Sequence, residues 1–448
     1  MKEKGDDTLD KEGLTGKVVW PIDPEYSRDR LIYNRAINKY PAVIVYCYSN
    51  QDVANAILWA RKNRVKLRIR SGGHNYEGYC IGTAKLVIDT TPMNKVEIDE
   101  VQGTVKIQAG ARLKKVYELL YQKGYAFAGG TCPTVAISGL VMGGGIGLST
   151  RLLGLTTDNL VEAEMVDAEG RVLTANQNSN PDLFWALRGA GGGNFGVVTS
   201  YTFRLQKKVD KITLFQLEWG NRPARYRFLS TWQSWLENLD RRVSAFGRTY
   251  KEGAAFFGFF YGTPEEARQV LKPMLEIPGI IFENIEYVDF IDAVNTIGSL
   301  YPKSDKFVDT GRFVYKYLSK EELCSLVSLL DKAPTGYDSL IKVYSMGGAV
   351  QDTGINETAF YYRKARYIMA ISGSWEDIPE ALAQKNWVAR GFQYIKSITK
   401  GSYVNFPYDR LPDYQTAYYG AHVKALQKIK RKYDPLNVFS FPQSITPI

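Results

Sequence analysis

The stretch Arg70-Ser71-Gly72-Gly73-His74-Asn75-Tyr76-Glu77-Gly78 decides how this chain is read. Ahead of it Val65, Leu67 and Ile69 alternate with polar residues, the period-two pattern of a strand, so the paired glycines fall where a strand ends. Glycine at such a joint lets backbone amides approach a ligand with no side chain in the way. Successive amides in a tight turn also form an anion-binding nest. The histidine that follows is one of only two in 448 residues.

Working outward, Val53, Ile57 and Ala60 recur at helical spacing before this stretch. Strands are expected at Leu86 to Asp89 and around Val105, Ile107 and Ala109. A helix is expected from Leu113 to Gln122, closed by Gly124. Two more glycine clusters follow, Gly139 to Gly147 and Gly189 to Gly196, the second leading into a strand from Val197 to Leu205. Gly147 precedes Leu148 rather than Lys-Ser/Thr, so the second cluster is not a nucleotide-triphosphate loop. Gly143-Gly144-Gly145-Ile146-Gly147 also fits a Rossmann fingerprint poorly. Three clusters in one half of the chain point to one long ligand held along its length.

From about Lys211 the pattern changes. Phe215, Leu217 and Trp219 alternate as a strand, and Phe228, Trp232, Trp235 and Leu236 share a helix face. Thr263-Pro264-Glu265-Glu266 and Ser319-Lys320-Glu321-Glu322 are capping boxes. Further strands are expected at Phe256 to Tyr261, Leu340 to Tyr344 and Tyr367 to Ile371. The region reads as an antiparallel sheet covered by helices, giving an α+β fold class. A helix from Thr416 to Tyr433, ending at Asp434-Pro435, closes the chain, and His422 on it is assigned a surface or capping role.

The chain carries 57 Lys and Arg against 47 Asp and Glu, a net charge of +10, but no basic run of five. That distribution favours an anionic ligand over nucleic acid. No apolar run spans a membrane, and Met1 to Leu14 lacks the layout of a secretory signal. The expectation is therefore a cytoplasmic protein, without nucleic-acid or membrane partners, that acts on a small molecule; no assembly element is visible, so a monomer is expected. Cys47, Cys80, Cys132 and Cys324 match neither a zinc motif nor a disulfide framework, so no metal is expected. Cys324, beside Leu323, Val327 and Leu330, is assigned to core packing.

Arg70 to Gly78 resembles the berberine bridge enzyme family of FAD-linked oxidases, which share the vanillyl-alcohol oxidase (p-cresol methylhydroxylase, PCMH-type) fold. The likeness continues at Gly130-Thr131-Cys132-Pro133-Thr134-Val135, Gly143 to Gly147, Gly154 to Asn159, Trp185 to Val198, Tyr403-Val404-Asn405 and Tyr433 to Phe439. It implies an FAD-binding domain from both chain ends, residues 1–205 and 395–448, around a substrate domain of residues 206–394. It also implies FAD bonded twice: through its 8α-methyl carbon to His74 and through C6 to Cys132. Arg70, Ser71, Gly72, Gly73, Asn75, Tyr76, Gly130, Thr131 and Val135 are expected to surround the cofactor. Ser138, Gly139, Gly143, Gly144, Gly145, Gly147, Leu148, Asp158 and Asn159 join them, as do Gly193, Asn194, Gly196, Val197, Val198, Tyr403 and Asn405.

The implied activity is hydride transfer from an alcohol C–H to flavin N5, with O2 reduced to hydrogen peroxide and Tyr403 as the base. Val135 is expected to leave oxygen room beside the ring. Ile146 stands where many sugar-oxidising relatives carry tyrosine, Leu140 stands where some relatives carry histidine, and Tyr367-Ile-Met-Ala-Ile371 shows no carboxylate. These departures predict an apolar pocket for an aromatic or otherwise hydrophobic alcohol. The alternatives are an oxidative cyclase of secondary metabolism and, in another class, a basic anion-binding or nucleic-acid-binding protein without redox chemistry.

Overall fold

The computed structural model describes residues 12–334 and 339–448, so most of the N-terminal stretch read for a secretory signal lies outside the described residues. The first sheet has the order Lys17–Val19, Val43–Tyr46, Leu86–Asp89, Leu67–Arg70, and its last three strands are parallel. Leu86–Asp89 is buried along its whole length, as a strand covered on both faces must be. Helix Asn50–Lys62 starts at a capping box between Ser49 and Asp52 and lays Val53, Ile57 and Ala60 against this sheet.

An antiparallel five-stranded sheet follows in the order Val96–Asp99, Thr104–Gln108, Val197–Arg204, Leu160–Val166, Val172–Asn176. A nine-stranded antiparallel sheet dominates the middle of the chain. Helices Arg222–Trp235, Pro264–Leu275, Lys320–Asp331 and Ile378–Ile398 cover one of its faces, and both predicted capping boxes start helices there. Because strand side chains alternate between faces, Ile371 and Gly373 meet helix Ile378–Ile398 while Ser372 and Ser374 turn to the other side. The register pairs Phe307 with Ser374, and Asp309 and Leu340 with Ser372. These residues, with Lys342, therefore share the opposite face, which closes over the first two sheets.

Several expectations are corrected. The nine-stranded sheet extends to Lys400–Ser402, so the boundary at 394–395 falls inside helix Ile378–Ile398. The closing helix is two, Tyr414–Tyr419 and Val423–Tyr433, separated at Gly420, whose φ of +53° breaks the helical path. Cys324 is exposed, because Leu323, Leu326 and Leu330 form the buried stripe and position 324 lies off it. His422 is buried rather than superficial: its ring nitrogens lie 3.3 Å from the Ala359 carbonyl and 3.2 Å from Asn356 Oδ1, between Trp185 and Tyr361.

Candidate active site

A cavity of about 410 Å3 opens where the parallel strands end, between the glycine joints and the sheet face that bears Asp309 and Ser372. Ligands in open α/β sheets bind beyond the carboxyl ends of the strands, and Leu67–Arg70 delivers the Ser71–Tyr76 loop there. Arg70 anchors the strand end through a buried ion pair with Asp89 and a 2.7 Å bond to the Asp29 carbonyl. Gly72 is required by close approach, since a Cβ there would lie 2.6 Å from the Ala136 nitrogen. The loop is thereby seated against the segment that carries Cys132.

That segment is fixed by the helix behind it. The first amides of helix Leu113–Gln122 lack intrahelical partners, and Leu113 and Lys114 donate to the carbonyls of Val135 and Pro133 at 2.9 and 3.1 Å. Arg112 donates to the carbonyl between them, that of Thr134. The Thr134 hydroxyl then lies 2.9 Å from His74 Nε2 and 3.5 Å from Cys132 Sγ. Tyr33 stacks on the imidazole at 4.2 Å. Burial, and then the Arg112 charge, lower the His74 pKa to about 4, so the ring is neutral at pH 7.

Of the residues predicted to surround a cofactor, Ser71, Gly72, Gly73, His74, Asn75, Tyr76, Cys132, Val135, Ser138, Gly139, Gly193, Asn194 and Asn405 line this cavity. Asn194 is fixed by Ile445, whose amide donates to its side chain at 2.9 Å, and by Lys430, fully buried, which donates to its carbonyl. Lys430 also binds Asp434 and the Phe439 carbonyl, while Asp434 accepts from the Val438 and Phe439 amides. The Asp-Pro ending thus folds the chain's last segment, Phe439 to Gln443, into the cavity wall.

The remaining candidates stand behind the wall. Gly130 and Thr131 support it, Gly130 accepting from Tyr117 and Thr131 bonding to the Tyr301 hydroxyl at 2.6 Å. Asp158 forms a buried two-pronged ion pair with Arg363 at 2.7 Å, and Asn159 donates to the Leu153 carbonyl. Gly143, Gly144, Gly145, Gly147 and Leu148 pack inside the fold, Gly147 against Gly129. Gly196, Val197 and Val198 lie along Leu160–Val166, where Val197 and Val198 pair with Val166 and Met165.

Tyr403 requires correction. Its hydroxyl accepts from the Gly145 amide at 3.2 Å and from the side chain of Asn405, a wall residue, at 3.1 Å, and Tyr403 itself stands behind the wall. Burial also raises its pKa, which opposes use as a base. In the same motif Phe406 lines the cavity, stacked 5.2 Å from Tyr76, and a phenyl ring takes no proton.

The cavity wall is mostly apolar, but it also carries charge. Asp309 and Lys342 form an ion pair in the wall; the carboxylate also accepts from the Thr310 amide at 2.8 Å and from the Ser372 hydroxyl. Burial raises the Asp309 pKa against the opposing pull of Lys342. The carboxylate missing from Tyr367–Ile371 is supplied by the neighbouring strand, through a register that sequence alone does not give. Arg112, Thr134, Asp309 and Lys342 were all missed. The alternation of Phe307 and Asp309 was the one available signal.

Two nucleophile-bearing side chains, one of them a neutral imidazole, share one hydroxyl in a cavity lined in part by Gly72, Gly73, Gly139 and Gly191 to Gly193. At Gly139 an added Cβ would meet nothing within 4 Å, so the wall there faces open space. These features fit a dinucleotide carrying an electrophilic ring. The class is an FAD-dependent oxidoreductase, since residues 41–176 match the family profile described as an FAD binding domain. Residues 402–446 match the profile described as berberine and berberine-like. An FAD-linked oxidoreductase of Bacillus subtilis, YgaK, is 36% identical across 98% of this chain and 99% of its own. Physcomitrella patens BBE-like 1 superposes with a TM-score of 0.91 at 29% identity, over 96% of each chain. A chitooligosaccharide oxidase superposes at 0.89 with 27% identity, over 97% of each. The chain belongs to the berberine bridge enzyme-like family of FAD-linked oxidoreductases and has its PCMH-type FAD-binding fold.

Proposed function

We propose that the chain is an oxidase that carries FAD on two covalent bonds, at His74 and Cys132, and oxidises a polar alcohol with dioxygen as acceptor. The observation that carries this reading is that both side chains reach one cavity and share one hydroxyl, that of Thr134. His74 Nε2 is engaged by that hydroxyl, which leaves Nδ1 as the nitrogen to bond. Each bond replaces one C–H of the cofactor and one N–H or S–H of the protein. The two protons and two electrons released per bond pass to dioxygen, giving hydrogen peroxide. When bound, the flavin supplies a hydride acceptor that dioxygen reoxidises.

The protein's part in turnover lies on the sheet face. Asp309, whose pKa burial raises against the opposing pull of Lys342, takes the hydroxyl proton of the substrate. A base works best with its pKa near the working pH. Ser372 orients the carboxylate, and Tyr76, Phe307 and Phe406 give the substrate carbon skeleton an aromatic wall. A wall mixing an ion pair, hydroxyls and aromatic faces suits an alcohol with further hydroxyl groups, a reading also supported by the chitooligosaccharide oxidase named above. The cofactor unit comprises both chain ends and the substrate unit the nine-stranded sheet.

The test is to precipitate purified protein with acid and to screen alcohols and sugars for peroxide release. The expected result is a yellow pellet, kept in His74→Ala and in Cys132→Ala separately, with peroxide formed from polar alcohols. A colourless pellet from the unaltered protein contradicts the double attachment, and peroxide from hydrophobic alcohols alone contradicts the substrate class.

A further inference from the structure

Resting on the double attachment proposed above, we infer that Thr134 is the positioning residue that activates both attachment side chains at once. Its hydroxyl touches His74 Nε2 at 2.9 Å and Cys132 Sγ at 3.5 Å. A hydroxyl has one proton and two acceptor lone pairs, and two of its hydrogen-bond arrangements bear directly on attachment. In the first, Thr134 donates to His74 Nε2 and accepts from the Cys132 thiol. The proton of the neutral ring is then on Nδ1 and the sulfur is protonated, and neither atom is a nucleophile. In the second, His74 donates its Nε2–H to Thr134, and Thr134 donates to the Cys132 sulfur. The lone pair is then on Nδ1, and the sulfur accepts rather than donates, the bonding pattern that its reactive thiolate form requires. Only the second arrangement prepares both bonds.

The surroundings hold Thr134 in place for this. Its carbonyl is gripped by Arg112, and the carbonyls on either side cap helix Leu113–Gln122. Tyr33 fixes the plane of the imidazole from one face. The Arg112 guanidinium adds positive charge on the same side, which disfavours a second proton on His74. A hydroxyl at position 134, rather than the bulk of threonine, is what the arrangement uses.

The experiment compares unaltered protein, Thr134→Ser and Thr134→Val, each purified as it folds in the presence of cellular FAD. The flavin remaining with the denatured chain is measured by absorbance and each bond by peptide mass. The unaltered protein is read first: if it lacks either bond, the double attachment itself fails and not the role of Thr134. With both bonds present there, Thr134→Ser is expected to keep them. Thr134→Val is expected to lose more than about tenfold in the rate at which bound flavin becomes doubly attached, while still holding flavin that denaturation releases. That retained flavin shows a folded cofactor site. Incubation of Thr134→Val at pH 9–10, above the ordinary thiol pKa of about 8.5, is expected to restore the sulfur bond, because the thiolate then forms unaided. Full double attachment in Thr134→Val overturns the inference, and so does equal loss in the serine and valine variants. Failure of the sulfur bond to recover at high pH overturns the thiolate assignment.

Discussion

Replacing Asp309 by Asn separates catalysis from packing at the proposed base. The side chain keeps its shape but can no longer take a proton. A positioned general base contributes roughly 10²–10⁴ in rate, which is about 3–5 kcal/mol of barrier. The change also strands Lys342, whose side chain is 19% exposed. Removing one partner of a buried pair costs about 3–5 kcal/mol, and this residual exposure places the cost near 3. A second variant, Asp309→Asn with Lys342→Met, removes the stranded charge and recovers most of that stability without restoring a base. Flavin reduction is followed anaerobically by rapid mixing with the best alcohol, and stability by thermal unfolding. The unaltered protein should speed up with pH as Asp309 ionises, its midpoint displaced above the ordinary aspartate value of about 3.9. Both variants should lose that dependence together with roughly two to four decades of rate. The assignment is refuted if Asp309→Asn reduces flavin within about threefold of the unaltered rate, or if the double variant regains rate along with stability.

Three further outcomes are expected. Tyr403→Phe leaves the Gly145 amide and the Asn405 side chain without their acceptor, costing about 1–3 kcal/mol with flavin reduction unchanged; a selective loss of rate with unchanged melting would return Tyr403 to the role of base. Glu77 is pushed up to about 7 by burial, then by the Asp409 charge. Its folded pKa is raised, so its contribution to stability is complete below about pH 4.3 and is lost as the pH rises through 7. Glu77→Gln should therefore stabilise at pH 8 by up to about 3 kcal/mol and leave stability near pH 4 unchanged, which melting at both pH values checks. Val135 lines the cavity, and Val135→Leu is expected to slow reoxidation by dioxygen by about tenfold without slowing reduction. Unchanged reoxidation in stopped flow removes Val135 from the oxygen path.

Local chemistry was legible in the sequence because it is written in neighbours. Ser319 to Glu322 and Thr263 to Glu266 announce helix starts three residues apart, and Leu113 to Gln122 shows its apolar face and closing glycine. The glycine joint bearing His74 was visible for the same reason. Asp309 was not, because its place depends on pairing with Ser372, more than sixty positions later, and slipping that register by one residue would turn it to the helix-covered face. Tyr403 failed for a related reason. Alternation along Tyr403-Val404-Asn405-Phe406 does not say which ring faces the cavity, and the Gly145 amide captured the phenol. Thr134 lay inside a quoted motif, but its contact to His74 spans sixty residues. Proximity of that kind comes from the packing of the loop on Ala136, where Gly72 admits no side chain.

Trypsin provides the most direct measurement, because it cuts after Arg70, Lys85, Lys123 and Arg151 and places His74 and Cys132 on separate peptides, 71–85 and 124–151. Digestion of the denatured protein should yield these two peptides joined through one FAD, at the summed mass of both peptides and FAD less two hydrogens for each bond. Recovery of both peptides at their unmodified masses contradicts the account, and flavin on one peptide alone contradicts the double attachment.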